Sequence, residues 1–189
     1  MPQMQSRRVA GPDDPVFPEL TAIYETSFCA DERREMDRAL FANPRYALNG
    51  FFATDVLLGF AATWRLDGYL MVEHLAIAPQ WRGRGFGGQF LRELIARSRH
   101  ATLILEVERP ANDQARRRIA FYERWGFQLN PYPYLQPAYA KDKAPVPLFL
   151  MSYGRLFDLA EYRVVVEQLY RLVYHGQKQG DDHVELPQW

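Results

Sequence analysis

Apolar side chains recur at helical spacing in some stretches of the chain and as alternating or unbroken runs in others. Residues 6–10 read as a short edge strand, ended by Gly11-Pro12. Leu20, Ile23, Tyr24 and Phe28 lie three to four positions apart and predict a helix over residues 17–30. A second short helix is predicted over 31–43, stopped at Asn43-Pro44 because the residue before a proline resists helical backbone. Residues 46–54 and 56–65 are aromatic and apolar and read as a hairpin turning at Asp55. Asp67-Gly68 turns the chain into a third strand, 69–78. Leu70, Met71, Val72, Leu75, Ala76, Ile77 and Ala78 leave that strand apolar on both faces, which places it at the centre of a sheet.

The second half alternates in the same way. A helix carrying Phe90, Leu91, Leu94 and Ile95 on one face runs to about Arg99, and 102–107 is a buried strand. A helix over 114–125 ends at Gly126, a fitting C-terminal cap. Strands at 127–129 and 146–153 flank a loop rich in proline and tyrosine, 131–145. In the tail, Asp158 and Glu161 form a capping box for a last helix. Its apolar face is Leu159, Val165, Val166, Leu169, Leu172 and Val173, and Gly176 stops it. That face is either an added layer on the domain or a contact with a second subunit. Residues 177–189 are polar and read as loose.

Composition narrows the classes. At 189 residues the chain is the size of one ordinary domain, and 48% apolar against 24% charged residues is a globular balance. Lys and Arg number 23, as do Asp and Glu, so the formal net charge is zero; no nucleic-acid partner is expected. Cys29 is the only cysteine, which excludes an intrachain disulfide and Cys/His metal cages, and no metal is expected. No apolar run approaches the ~20 residues of a membrane span, so no membrane partner is expected. Residues 1–8 have no apolar signal-peptide core, so the expected compartment is the cytoplasm.

The chemistry concentrates between the third strand and the next helix, in Gln80-Trp81-Arg82-Gly83-Arg84-Gly85-Phe86-Gly87-Gly88. Glycines permit positive φ and close approach of a ligand to the main chain. Successive N–H groups at a helix N-terminus make an anion site, and Arg82 and Arg84 add charge suited to phosphate oxygens. Gly83 to Gly88 also fits the dinucleotide fingerprint G-x-G-x-x-G, with Glu106 near the expected ribose acid. Against a dinucleotide-dependent oxidoreductase, Pro79 to Arg82 intervene between strand and glycine. The unit also follows a meander, and too little chain remains for a second βαβαβ half.

These residues resemble the GNAT superfamily of acyl-CoA-dependent N-acetyltransferases. The family's pyrophosphate motif, Q/R-x-x-G-x-G/A, is matched by Gln80 to Gly85. Its Tyr-x-x-x-Gly-Phe helix end is matched by Tyr122 to Phe127, and its glutamate-bearing strand by Leu105-Glu106-Val107, all in family order. The resemblance implies an α+β fold of three layers: a central mixed, twisted sheet of about six to seven strands flanked by helices. It implies an acetyltransferase domain over 1–154; the tail lies outside it, and its pattern adds an extra C-terminal helix, a helical extension over 155–189 packed on the domain or on a partner subunit. Many members carry an asparagine seven residues before the tyrosine. Ala115 stands there, Asn112 is three residues out of register, and Arg117 or Arg118 is the substitute contact.

The resemblance also implies a reaction: transfer of an acetyl group from acetyl-CoA to a primary amine of a small molecule or peptide, by direct attack in a ternary complex. Main-chain groups of Leu75, Ala76 and Ile77 would face the pantetheine arm. An amine of pKa ~10.4 arrives protonated, so a base is required. Glu106 is the first candidate, Glu73 the second and His74 the third; strand alternation would put Glu73 and His74 on opposite faces. Tyr122 matches the family's general acid. The loop 131–139, with Tyr132, Tyr134 and Tyr139, would wall the acceptor side. The alternative is a catalytically silent acyl-CoA-binding regulatory module of the same fold. The expected assembly is a monomer or homodimer.

Overall fold

Two tight turns set the meander that begins the sheet. In the first, Thr54 takes φ +55°, and Gly68 takes φ +85° in the second. Positive φ is what a two-residue hairpin turn requires. The computed structural model describes residues 4–174 of the chain. These form eight strands: β1 (Met4–Val9), β2 (Tyr46–Ala53), β3 (Val56–Arg65), β4 (Tyr69–Ile77), β5 (Thr102–Glu108), β6 (Phe127–Leu129), β7 (Tyr134–Gln136) and β8 (Val146–Tyr153). The helices are α1 (Phe17–Ser27), α2 (Arg38–Ala42), α3 (Phe86–Arg97), α4 (Asp113–Arg124) and α5 (Leu159–Leu169), the last running into a π turn, Tyr170–Tyr174. The sheet order is β1-β2-β3-β4-β5-β8-β6, with β7 also on β8. Among the described strands only β4 and β5 pair in parallel. This mixed sheet is not the doubly wound parallel sheet of a dinucleotide enzyme.

Each face of the sheet carries its own core. Leu20 and Tyr24 of α1, Leu40 of α2, and Tyr162, Val165 and Leu169 of α5 pack with Tyr46, Trp64, Met71 and Ile104 on one face. Phe86, Phe90 and Leu94 of α3 and Ile119 and Tyr122 of α4 pack with Val72, Leu103, Leu105 and Val107 on the other. No helix of the described residues is long and apolar enough to cross a membrane.

Three expectations need correction. The helix over 31–43 is reduced to one 3-10 turn, Ala30–Glu32, and the short α2. Between them Arg34 is drawn into the core: its backbone N–H donates to Tyr24 Oη at 2.8 Å and its guanidinium reaches Glu73, so tertiary bonds replace helical ones. The proline-rich loop contains β7, which brings the described sheet to eight strands; Pro133 and Pro137 confine it to three residues. In the tail, Asp158 caps α5 by accepting from the Glu161 N–H at 2.8 Å, but the Glu161 carboxylate turns to Arg155 and Tyr69 instead of completing a box. Leu159 is exposed, and Tyr162 joins Val165, Val166 and Leu169 on the buried face. Gly176 and residues 177–189 lie outside the described residues.

Candidate active site

The site begins where two strands part. β4 and β5 pair only from Tyr69↔Thr102 to Val72↔Leu105. Beyond that, β5 stays paired to β8 as far as Glu108, and β4 stays on β3 as far as Ile77. Residues 73–77 of β4 therefore present main-chain groups to an opening. A cleft of about 350 Å³ fills it, lined in part by Leu75, Ala76, Ile77, Glu106, Arg118 and Tyr122.

The glycine loop follows the open end of β4, and its Arg82 lines the cleft. Gly83 has φ +73° and Gly85 φ +82°, and a Cβ built on either would meet nothing within 4 Å. Gly85 leads into α3, whose N-terminus has no side-chain cap. The N–H groups of Phe86, Gly87 and Gly88 thus have no acceptor earlier in the helix and no capping oxygen. An open nest of amides at a helix N-terminus fits a diphosphate. The neighbouring side chains divide the work differently from the sequence expectation. Arg84 is exposed and its guanidinium stacks over Trp81 at 5.0 Å. Arg82 turns back, donating to Ile77 O and Ser27 Oγ at 3.0 Å each. Gln80 is exposed beside Trp81. Phe86 is buried in the core, and Gly88 is small because of packing: a Cβ there would lie 2.4 Å from Trp125 Cζ2. Only the main chain of these two residues can meet a ligand.

Glu73 and His74 correct the alternation argument. The β3–β4 register passes from Ala62↔His74 to Thr63↔Val72, so Glu73 is an extra, bulged residue. Both side chains then turn to the same face, with His74 Nδ1 3.7 Å from Glu73 Oε2. Glu73 accepts from Arg34 Nε (2.7 Å), Trp64 Nε1 (2.8 Å) and Tyr139 Oη (2.8 Å). Burial alone would raise its pKa. The Arg34 charge, 2.5 Å away, together with His74 and the Trp64 hydrogen bond, outweighs that and holds it at about 2. A carboxylate so weakly basic is a structural anion. His74 is buried too, its Nε2 donating to the Glu32 carbonyl at 2.8 Å.

Glu106 sits in the opposite environment. Among the described residues no cation lies within hydrogen-bond reach of it; its partners are phenols. Tyr134 donates to Oε1, and Tyr174 Oη lies 2.7 and 2.8 Å from the two oxygens. Burial raises its pKa to about 7, and the two hydrogen bonds lower it only in part. Across the cleft Tyr122 is 8% exposed, and its hydroxyl makes no hydrogen bond among the described residues. Burial pushes its pKa up, with Arg118 pulling the other way. Glu106 approaches from the face of α1 and α5, and Tyr122 from that of α3 and α4.

Other residues fall into place around them. Arg118 lines the cleft and pairs with Glu108 at 3.1 Å. Asn112 is the cap of α4, accepting from Ala115 N at 2.8 Å, and Ala115 is buried. The tyrosines of the late loop are committed: Tyr134 to Glu106, Tyr139 to Glu73, and Tyr132 packs on Tyr162. Arg34 and Tyr174 carry no local motif. Their contacts span 39 and 68 positions of sequence, and spacing does not signal them. A second cavity, about 570 Å³, lies behind Arg34 and Tyr139 and holds neither Glu106, Tyr122 nor the glycine loop.

The family model for the GNAT acetyltransferase domain matches residues 47–129. A Bacteroides thetaiotaomicron structure described as a GNAT-family acetyltransferase is 31% identical, covers 90% of this chain and 98% of its own, and superposes with a TM-score of 0.83. The chain therefore belongs to the GNAT acetyltransferase family. Two more distant structures share the fold. The ribosomal-protein-S18-alanine N-acetyltransferase of Escherichia coli is 20% identical over 82% of this chain and 96% of its own, at TM-score 0.54. An Elizabethkingia anophelis GNAT acetyltransferase with acetyl-CoA bound is 12% identical over 79% and 97%, at TM-score 0.54. No curated protein sequence matches the chain.

Proposed function

We propose that this protein transfers an acetyl group from acetyl-CoA to a primary amine of a small molecule or peptide. The observation that carries the reading is the β4–β5 opening, with a near-neutral carboxyl on one side, an unbonded phenol on the other and an uncapped glycine loop following the open end of β4. The loop amides from Gly83 to Gly88 would hold the diphosphate, and the unpaired main chain of Leu75, Ala76 and Ile77 would hold the pantetheine arm. Acetyl-CoA supplies the activated acyl group.

Glu106 acts as the base. With a pKa of about 7 it is substantially ionised at neutral pH and still basic enough to take a proton from the acceptor ammonium. The freed nitrogen lone pair forms the C–N bond, and the C–S bond breaks with its electrons on sulfur. Tyr122 gives its proton to that sulfur and regains one from the acylated nitrogen. One proton leaves the site through Glu106, which balances an ammonium and a thioester against an amide and a thiol. Glu73, held at about 2, takes no part in this proton traffic.

The test is purified protein with acetyl-CoA and a panel of primary amines, followed by thiol release. Release on at least one amine is expected, with turnover reduced more than cofactor affinity in Tyr122→Phe, and affinity lost in Gly85→Glu. Tight binding with no release on any amine would replace the enzyme with a silent binding module.

A further inference from the structure

Both phenols on Glu106 come from outside the matched family region, 47–129. Tyr134 belongs to β7. Tyr174 ends the π turn that prolongs α5, and that turn is anchored on both sides of the carboxylate. Val173 is fully buried, and its carbonyl accepts Arg34 Nη2 at 2.9 Å, which ties the turn to the Glu73 network. Tyr170 Oη donates to Leu135 O at 2.5 Å, which ties it to β7. The Tyr174 ring also packs on Tyr139, centroids 5.3 Å apart.

The last torsion of a glutamate is broad, so the plane of its carboxylate is set by its partners. Tyr134 occupies Oε1, and Tyr174 touches both oxygens. Oε2 is left with the larger share of free lone pairs. We propose that Tyr174 is a positioning residue for acyl transfer: through it the C-terminal extension completes the active site, fixing the Glu106 carboxylate with Oε2 free for the acceptor nitrogen. The proposal rests on the reading of Glu106 as the base.

A hydrogen bond to the ionised form of a carboxyl favours that form, so losing one raises its pKa. Other groups act on Glu106 from every side. Glu73 and Arg34 face it from β4 and the α1–α2 segment; Tyr139, Tyr162 and Tyr170 face it from the late loop and the extension. Arg118 and Tyr122 line the same cleft from α4. Removing only the Tyr174 hydroxyl leaves every one of these side chains in the protein.

The experiment is the pH profile of kcat/KM for the full-length protein, with acetyl-CoA and an accepted amine. In Tyr174→Phe the acidic limb moves up by about one pH unit, which lowers activity about tenfold near pH 6 and restores it to within about twofold on the alkaline plateau. A loss by the same factor at every pH, with the limb in place, overturns the proposal. Placing 3-fluorotyrosine at position 174 keeps the shape and makes the hydroxyl a stronger donor, so the limb moves down. A limb that stays put or rises in that protein overturns the proposal, whatever the folding of Tyr174→Phe. Glu106→Gln, measured alongside, separates the two readings. Full activity in it removes Glu106 as base, and the proposal with it. Lost activity there combined with an unmoved limb in Tyr174→Phe overturns Tyr174 alone.

Discussion

Glu73 and Glu106 line one cleft from neighbouring strands, and either satisfies the bare requirement for a carboxylate near the proposed thioester. Their surroundings drive them apart. Around Glu73 stand Arg34, Trp64, Tyr139 and His74, and its pKa falls to about 2; around Glu106 stand two phenols, and its pKa rises to about 7. The largest part of the difference is the guanidinium beside Glu73, joined by His74 and Trp64. Burial penalises both anions; at Glu73 the adjacent charge and hydrogen bonds together reverse that penalty, and at Glu106 two phenol hydrogen bonds offset it only in part. One carboxylate therefore knits the α1–α2 segment to the sheet, while the other is left with a proton affinity suited to catalysis near neutral pH.

The sharpest way to break this comparison is Glu106→Gln. It is expected to lower kcat/KM by about 10²–10⁴ while leaving coenzyme A affinity in place, as read by steady-state kinetics and titration. Equal activity would make the two carboxylates alike after all. Next comes Arg34→Met, which strands Glu73 as an unpaired buried anion. A loss of about 3–5 kcal/mol in denaturant unfolding is expected, and a loss below about 1 kcal/mol would mean that Glu73 does not depend on its partner.

The pH dependence of stability separates the pair by sign. Glu73 lies near 2 when folded against an ordinary 4.5, so its contribution is present above about 4.5 and drains away as pH falls toward 2. Glu106 lies near 7 against the same 4.5, so its contribution is full below about 4.5 and is lost as pH rises through 7. Unfolding curves across both windows should show Glu106→Gln flattening the upper slope and sparing the lower one. The smallest effect is Tyr139→Phe. Glu73 keeps Arg34 and Trp64, so the expected cost is about 1 kcal/mol of stability, with the acidic limb of the rate profile unmoved. A shift of that limb would show that the two carboxylates titrate as one system.

Much of the scaffold was legible in local pattern. Asp67-Gly68, Gly126 and the run from Gln80 to Gly88 announce a turn, a helix end and a nest, because glycine's conformational freedom is a local property. Even there, the side chains misled: Gly88 answers to Trp125, which lies on another helix's end, and Phe86 answers to the core. The bulge at Glu73 was hidden, since a strand sequence carries no mark of the one residue its partner skips. The helix expected over 31–43 failed for a related reason. Propensity speaks for a fraction of a kcal/mol per residue, and the buried bond from Arg34 to Glu73 outweighs it.

Most of the order of strands and helices and the glycine nest follow from sequence alone, because period and turn chemistry act over a few neighbouring residues, and the family resemblance adds Tyr122 and Glu106 as candidates. Which glutamate keeps a proton near neutral pH does not follow from sequence. That depends on where Arg34 and the phenols of Tyr134 and Tyr174 come to rest, brought together from distant parts of the chain. Proton affinity is set by field and solvation at a point in space, and only the folded chain defines that point.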